Sequence, residues 1–487
     1  MADVKSINGY NIKDATARTS ITNLTTTVGN NKTTTDFDAH NRITNAENLQ
    51  YDYANKYHMV ELPETMDDHF KKLTILESYN KEKYDCIIDV EALKNSGGNT
   101  YYVDVNYTTP DSDGSEAHPW KRFQEAFAGT SNGDTIIVKK GKYTLSQFPT
   151  TATEKKNINI ICEKGTLFVQ GTNLTWTQNS TYTNVYQASR TRASIVIDLR
   201  KKDENIFPKL NQKSSIEEVA VNKYSYYIDS TNNIVYVNIG EEVTNDKVVV
   251  NLDANYCPLY ITPYTQNLKM YIENVTILAG TGTAFARVDA TEEYSAELTC
   301  VNCQFLYGGK DGSLGCMTVG GANTVFINCK AMFNKFGDGF TYHTEGGRYA
   351  RGIEINCEGA YNGFESTSGT SLEYANNGST THERCQIVRI NGNYHNNKGC
   401  NVGDTGGQNI SINYGCKAYN SEVNVVGHNR NADFGALSSS AKMYLYSCFA
   451  QGKSEMNIYS GESNNIVNVY NCLYNTTGGN GTINIVE

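Results

Sequence analysis

Short β-like runs that end in Asn-Cys, or close to it, and lead to an aromatic residue and a second Asn recur between Thr324 and Asn429. Val325-Phe326-Ile327-Asn328-Cys329 leads to Phe333-Asn334, and Ile353-Glu354-Ile355-Asn356-Cys357 leads to Tyr361-Asn362. Ile387-Val388-Arg389-Ile390-Asn391-Gly392 leads to Tyr394, Asn396 and Asn397, and Ile410-Ser411-Ile412-Asn413-Tyr414-Gly415-Cys416 leads to Tyr419-Asn420. Weaker echoes are Val301-Asn302-Cys303 before this block, and Tyr446-Ser447-Cys448 and Tyr470-Asn471-Cys472 after it. Self-similarity at a period of a few tens of residues marks a stacked repeat, here built of strands with no helical period. Uneven spacing with Gly and Asn turns predicts a parallel β-helix rather than a propeller, and no Trp-Asp or kelch-like signature occurs.

Charge and cysteine narrow what such a solenoid does. The 487 residues carry 52 acidic and 42 basic side chains, a net charge of −10. With no long basic run, nucleic acid is not an expected partner. No run of 18 apolar residues suggests a transmembrane helix, and Met1-Ala2-Asp3-Val4-Lys5 opens no secretory signal, so no membrane insertion is expected. The 34 tyrosines suit sheet faces and also the stacking of sugar rings. Cys303, Cys329, Cys357, Cys416, Cys448 and Cys472 sit at strand ends, with Cys300 less regular, and predict a column of small buried thiols made in a reducing cytoplasm. No paired CxxC spacing or compact Asp cluster predicts a metal, and no cofactor is expected.

In order, residues 1–50 read as a polar terminal arm and 51–98 as a partly helical neck, with Met66, Phe70 and Leu73 at helical spacing and Ser96-Gly97-Gly98-Asn99 as linker. The main domain spans 99–487. It opens with Tyr101-Tyr102-Val103-Asp104, a short amphipathic helix over Pro119–Phe127 and a strand at Thr135–Val138. Residues 166–245 break the rhythm with hairpin material such as Ser225–Asp229 and Ile234–Asn238, which predicts an antiparallel insertion, and coils resume at Val248-Val249-Val250.

Stacking the runs after each Asn aligns Gly339–His343 with Gly363–Thr367, then Gly399–Gly403, then Glu422–Val426. Alternation then turns Phe340, Phe364, Cys400 and Val423 inward, and Thr341, Glu365, Asn401 and Asn424 outward as one column. His343, Thr367 and Gly403, with Asp404 just beyond, border the next column. The interval from Cys357 to Gly392 is 35 positions against 26 from Cys303 to Cys329, and the surplus is a polar loop, 366–381, that can wall a cleft. On this reading Glu365 is general acid or base, His343 its partner, and His382, Glu383 and Asp404 further catalytic candidates. Asp338, Arg389, Asn401, Tyr374 and Glu345 are candidates for holding substrate. Asp338 between glycines also suits a plain turn, Arg389 an ion pair, His395 a structural turn, and Asn334, Asn362, Asn397 and Asn420 a turn ladder.

Two segments carry a resemblance. Val4 to Arg18, with Ile7-Asn8-Gly9-Tyr10-Asn11-Ile12-Lys13-Asp14-Ala15, resembles the N-terminal segment of tail and fibre proteins from phages of Gram-positive bacteria. The helix and first strand of the main domain, with Gly337–His343, Asn377–His382 and Asn391–Gly399, resemble right-handed parallel β-helix proteins of the pectate-lyase-like superfamily, in particular the modules of phage tailspikes. The resemblance covers roughly 99–487 and implies a right-handed single-stranded coil capped by the helix. It further implies a homotrimeric virion protein, joined to tail, baseplate or collar proteins through its arm, that binds and depolymerises a bacterial cell-surface glycan during host adsorption. The polygalacturonase Asp-Asp pair and the pectate-lyase Arg-x-Pro-x-x-Arg element are absent, and Gly427-His428-Asn429 only partly matches Gly-His-Gly, which argues against pectin. Two other readings stay open, a non-catalytic receptor-binding or structural spike and a bacterial polysaccharide lyase or hydrolase.

Overall fold

The computed structural model describes residues 57–144, 156–200, 206–252, 259–278, 284–308, 314–334, 337–363, 376–422, 432–438 and 440–486. The arm, Glu365, Tyr374 and the Glu422–Val426 rung beyond its first residue lie outside them. The fold is a right-handed single-stranded parallel β-helix. Each coil contributes one strand to each of three sheets. The first sheet runs through Leu259–Ile261, Ala284–Asp289, Leu314–Val319, Phe340–His343, Ser379–His382, Val402–Thr405, Ala432–Ala436, Met456–Ser460 and Thr477–Gly478. The second runs through Ala296–Val301, Asn323–Ile327, Arg351–Ile355, Gln386–Ile390, Ile410–Tyr414, Lys442–Tyr446 and Ile466–Tyr470, and the third through Gln304–Leu306, Lys330–Met332, Glu358–Ala360, Asn393–His395, Lys417–Tyr419 and Phe449–Gln451.

The Asn-Cys repeat is the corner between the second and third sheets. Asn302, Asn328, Asn356 and Asn391 stand at φ 52–53, the left-handed region that Asn tolerates best among residues with a side chain. Their amides bond rung to rung, Asn328 to Asn302 and Asn356 to Asn328, at 3.1 Å each. The next residue points inward. Cys303, Cys329, Cys357, Cys416 and Cys448 are buried free thiols, and the thiols of Cys329 and Cys357 donate to the Cys300 and Phe326 carbonyls one rung back, both at 3.3 Å. Cys472 is half-buried. A second ladder, Asn334–Asn362–Asn397, is fully buried on the other side of the third sheet, and continues to Asn401 rather than Asn420.

At the first coils the helix Phe123–Gly129 packs Phe123 edge-on to Tyr143 and Phe168, covering the core end that an uncapped solenoid exposes. The expected insertion is present with different bounds. Ile158–Val169 still pairs parallel with Leu268–Leu278, while Val248–Leu252 pairs antiparallel with Ala193–Asp198. A run of valines fits either direction, so the sequence placed Val248–Val250 in the coils, where it does not belong. Between these strands lies a five-stranded sheet of Thr177–Gln178, Tyr186–Ser189, Asn211–Gln212, Ser225–Asp229 and Ile234–Asn238. The helical spacing at Met66, Phe70 and Leu73 resolves into a single 3₁₀ turn, Asp68–Lys72, that lies on the second sheet through Asp67 to Arg351 (2.9 Å) and His69 to the Thr324 carbonyl (3.2 Å).

Candidate functional site

The first sheet places the residues that matter, with a register that differs from the sequence alignment. Phe340–His343 pairs with Ser379–His382, which pairs with Val402–Thr405 and then Phe434–Ala436. The sequence put Gly363–Thr367 next to Phe340–His343, because Gly363-Phe364 imitates Gly339-Phe340. The strand starts instead after the long loop, in Ser379-Thr380-Thr381, which has no apolar marker. Alternation then fixes the faces. Phe340, Tyr342, Ser379, Thr381, Val402 and Asp404 point inward. Thr341, His343, Thr380, His382, Gly403 and Thr405 point outward.

On the outer face the His343 and His382 rings stack, centroids 4.1 Å apart and 10° from parallel. Thr341 Oγ1 lies 3.1 Å from His343 Nε2, and Thr405 Oγ1 lies 2.8 Å from His382 Nδ1. The other His382 nitrogen, Nε2, faces Asp338 Oδ2 at 4.0 Å. Asp338 is tied down here through its Oδ1, which accepts the Asn377 N–H at 2.6 Å. Burial, with His382 and Arg287 nearby, pushes the His343 imidazole down to about 3, so it is a neutral ring across the physiological range. Arg287 stands two rungs back on the same face. Its Nε donates to both Asp289 oxygens at 2.9 Å, its guanidinium lies over Tyr260, and Tyr260 Oη donates to Asp289 at 2.9 Å. The Thr380 hydroxyl is buried on this face with no hydrogen-bond partner.

Three candidates lie elsewhere. Arg389 is fully buried inside the coil, a correction to its role as a sugar contact. Its Nε donates to Ser379 Oγ at 2.8 Å, and Glu354 Oε1 lies 3.9 Å away. Glu354 itself accepts from Tyr342, Ser379 and Tyr394 at 2.9, 2.7 and 2.6 Å. Asp404 faces the same interior, accepting from Thr381 at 2.8 Å and Ser411 at 2.5 Å. Burial pushes the Asp404 carboxyl above its usual range despite Arg389. Asn401 is fully buried in the amide ladder, donating to Asp433 at 2.9 Å, and is no surface residue. Asp404 alternates inward between Gly403 and Thr405, and Asn401 precedes the strand Val402–Thr405 and is taken into the ladder by the turn.

Glu345 and Glu383 are exposed at the same end of these strands. Glu345 closes a tight turn with Arg348 through backbone bonds of 3.0 Å each way, over Gly346 and Gly347 at positive φ. Glu383 and Arg384 are consecutive left-handed residues, and Thr344 Oγ1 bonds the Glu383 carbonyl. The structure therefore gathers His343, His382 and Asp338 and adds Thr341, Thr380, Thr405, Arg287, Asp289 and Tyr260. The last three precede the dense repeat block, and Arg287-Val288-Asp289, two charges on one strand face, was the signal available. Chemically the face offers a neutral imidazole that can take a proton, a second imidazole beside a carboxylate, hydroxyls, and a nearby cation.

No family model matches the chain, and no curated protein matches it. Among solved structures it is similar to a glycoside hydrolase at 12% identity over 79% of this chain and 96% of that one, with TM-score 0.47. It is similar to pectate lyase Pel9A at 14% identity over 79% and 81%, TM-score 0.34, and to ORF18 of Geobacillus virus E2 at 10% identity over 85% and 68%, TM-score 0.32.

Proposed function

We propose that this chain is a phage tailspike that binds a bacterial surface polysaccharide and cuts it on the outer face of the first sheet. The observation that supports it most is the stacked His343–His382 pair, one ring held neutral by burial and the other beside Asp338. β-Elimination on a uronic-acid residue fits these groups. His343 takes the proton next to the carboxylate, Arg287 stabilises the negative charge that builds there, and His382 gives a proton to the departing glycosidic oxygen. Hydrolysis needs two carboxyl groups flanking the bond. Among the described residues Asp338 is the one carboxylate with an oxygen within 4.0 Å of a ring nitrogen of His343 or His382.

Glu365 and Tyr374, outside the described residues, remain candidates from the sequence, with Glu345 and Glu383 exposed at one end of these strands. In this reading residues 1–50 dock the protein to the virion and three copies assemble. A spike that binds the polymer without cutting it is the competing reading, favoured by Asp338 already accepting the Asn377 N–H. The test is purified full-length protein incubated with host surface polymer, following chain length and the absorbance of unsaturated ends. Unsaturated ends that vanish in His343→Ala and His382→Ala are expected. A polymer that is bound but never shortened decides for the binding-only spike, and unchanged cleavage in both variants but not in Glu365→Gln moves the site to the loop. Light scattering tests assembly, where a monomer at micromolar concentration removes the trimer.

A further inference from the structure

Each short strand of the third sheet is followed by one residue in the left-handed region. On five successive rungs that residue is Tyr307 (φ 70), Phe333 (φ 62), Tyr361 (φ 55), Asn396 (φ 54) and Asn420 (φ 57). Asn adopts this conformation at little cost and an aromatic residue does not. Three rungs nevertheless carry an aromatic ring there. On the two Asn rungs the ring moves one position back, to His395 and Tyr419. Strained residues retained where an unstrained choice exists point to a use for the side chain.

The five rings form one column in two stacks. Tyr307, Phe333 and Tyr361 lie near-parallel at 5.0 and 5.2 Å, and His395 and Tyr419 at 4.9 Å. Between Tyr361 and His395 the planes turn by 86°. The column borders an open cavity of about 620 Å³ that Ile206, Pro208 and Lys209 of the insertion also line. Tyr361 stays 37% exposed there. The polar groups are few and fixed. Glu358 takes His395 Nε2 at 3.1 Å and Lys330 Nζ at 2.6 Å, and although burial pushes its carboxyl up, these two partners hold it below its usual range. Asn393 lines the cavity, and its side chain makes no hydrogen bond among the described residues.

We infer that this cavity is a second glycan-binding site, on a different sheet from the histidine pair, that seats an uncharged sugar ring against Tyr361 with its hydroxyls on Asn393 and Glu358. An aromatic wall with a few oriented hydrogen-bonding groups is the chemistry a pyranose presents in reverse, apolar C–H faces ringed by hydroxyls. Lys330 is already neutralised by Glu358, so beside Tyr361 and Asn393 a neutral ring is favoured over a carboxylated one, which Lys209 at the opposite lining would have to attract. The choice of a saccharide rests on the glycan-binding part of the reading above and not on cleavage.

Full-length protein is titrated by calorimetry with neutral tetrasaccharides of glucose, galactose, mannose and N-acetylglucosamine. At least one binds the parent. Tyr361→Phe keeps the affinity. Tyr361→Asn, which installs the residue that the next two rungs carry, weakens binding about tenfold or more, the scale of one lost aromatic contact, without lowering the melting temperature. Should that variant not fold, Asn393→Ala is read by the same criterion. Parent protein that binds none of the four, or Tyr361→Asn that binds like the parent, overturns the site and leaves the column as a purely structural stack. If such protein still cuts host polymer, the inference fails while the cleavage reading stands.

Discussion

Thr380 and Thr381 are neighbours in one strand and belong to different environments. Thr381 points into the coil, where its hydroxyl reaches Asp404 and, through the same interior, the chain buries Glu354, Arg389, Ser411 and Asn413 around one another. Thr380 points outward, beside the histidines, and its hydroxyl has no partner. The inner cluster is nearly closed on itself: Glu354 has three hydroxyl donors, and Arg389 Nη2 is the group left over. The outer cluster is incomplete. A fully satisfied polar network specifies and stiffens a fold, whereas unmatched donors on a face suit a ligand that supplies the match. This contrast separates the charged residues that hold the solenoid together from those available for chemistry.

The sharpest way to break the comparison is to remove the interior cation. Arg389→Met leaves Glu354 and Asp404 buried with their hydroxyl donors but without a cation, and a broken buried pair costs roughly 3–5 kcal/mol. Urea denaturation followed by circular dichroism checks it. A midpoint close to that of the parent means that the hydroxyl donors alone carry the interior carboxyl groups and the ion pair contributes little.

On the outer face the expected effect is on rate and not on stability. His382→Ala slows cleavage by about 10²–10⁴-fold, the range for one proton-transfer group, with an unfolding midpoint near the parent value. His343 is held down at about 3, so as a base it stays unprotonated far below neutrality, and kcat/KM keeps its value from pH 7 to pH 4 as far as this ring is concerned. A rate that falls tenfold over that range, in a protein still folded, takes the base role away from His343. The same shift has a stability sign. A histidine harder to protonate folded than unfolded costs stability as the pH drops from about 6.5 towards 3, so His343→Gln loses less on acidification than the parent.

How far sequence reached depends on which of these faces a residue serves. The corner Asn and the Cys after it were legible because the left-handed turn and the small inward side chain recur with a recognisable neighbour, as at Asn328-Cys329 and Asn356-Cys357. The helix Phe123–Gly129 and the hairpin Ser225–Asp229 with Ile234–Asn238 were legible from local pattern alone. The rung after Phe340–His343 was not. Ser379 and Thr381 face inward although polar, because Glu354 and Arg389 make the core polar there, and the inside-apolar rule misassigns such a strand. The long loop compounded this by offering Gly363-Phe364 as a decoy before the true strand. His343, His382 and Asp338 stand out in the sequence as separate candidates, and their meeting depends on a register that spacing does not encode.

The amide ladder supplies a smaller, pH-linked test. It runs from Asn334 to Asn401 and ends on Asp433, which accepts from Asn401 at 2.9 Å, Asn457 at 2.8 Å and Ser454. Burial raises the Asp433 carboxyl to about 6 against those hydrogen bonds. The folded state therefore holds this proton more tightly than the unfolded chain does. Stability from the group is full below about pH 4 and is lost as the pH rises through about 6. Asp433→Asn should accordingly suffer more against the parent at pH 4 than at pH 7, by up to about 3 kcal/mol. A difference between the two proteins that does not change with pH removes Asp433 as the titrating group.

The smallest effects return to the paired threonines and are the most discriminating. Thr381→Val keeps shape but leaves a buried Asp404 oxygen without its donor, and an orphaned buried acceptor costs about 1–3 kcal/mol. Thr380→Val removes a hydroxyl that has no partner, so the free protein should change by no more than about 0.5 kcal/mol, in either direction. If the outer face binds glycan, the order reverses in a binding experiment. Thr381→Val, once folded, then binds host polymer like the parent, and Thr380→Val binds it several-fold more weakly, because its hydroxyl has a partner only in the complex. Equal destabilisation by the two substitutions breaks the inside–outside assignment of the strand. Equal binding by the two leaves the assignment intact and removes Thr380 from the glycan contact.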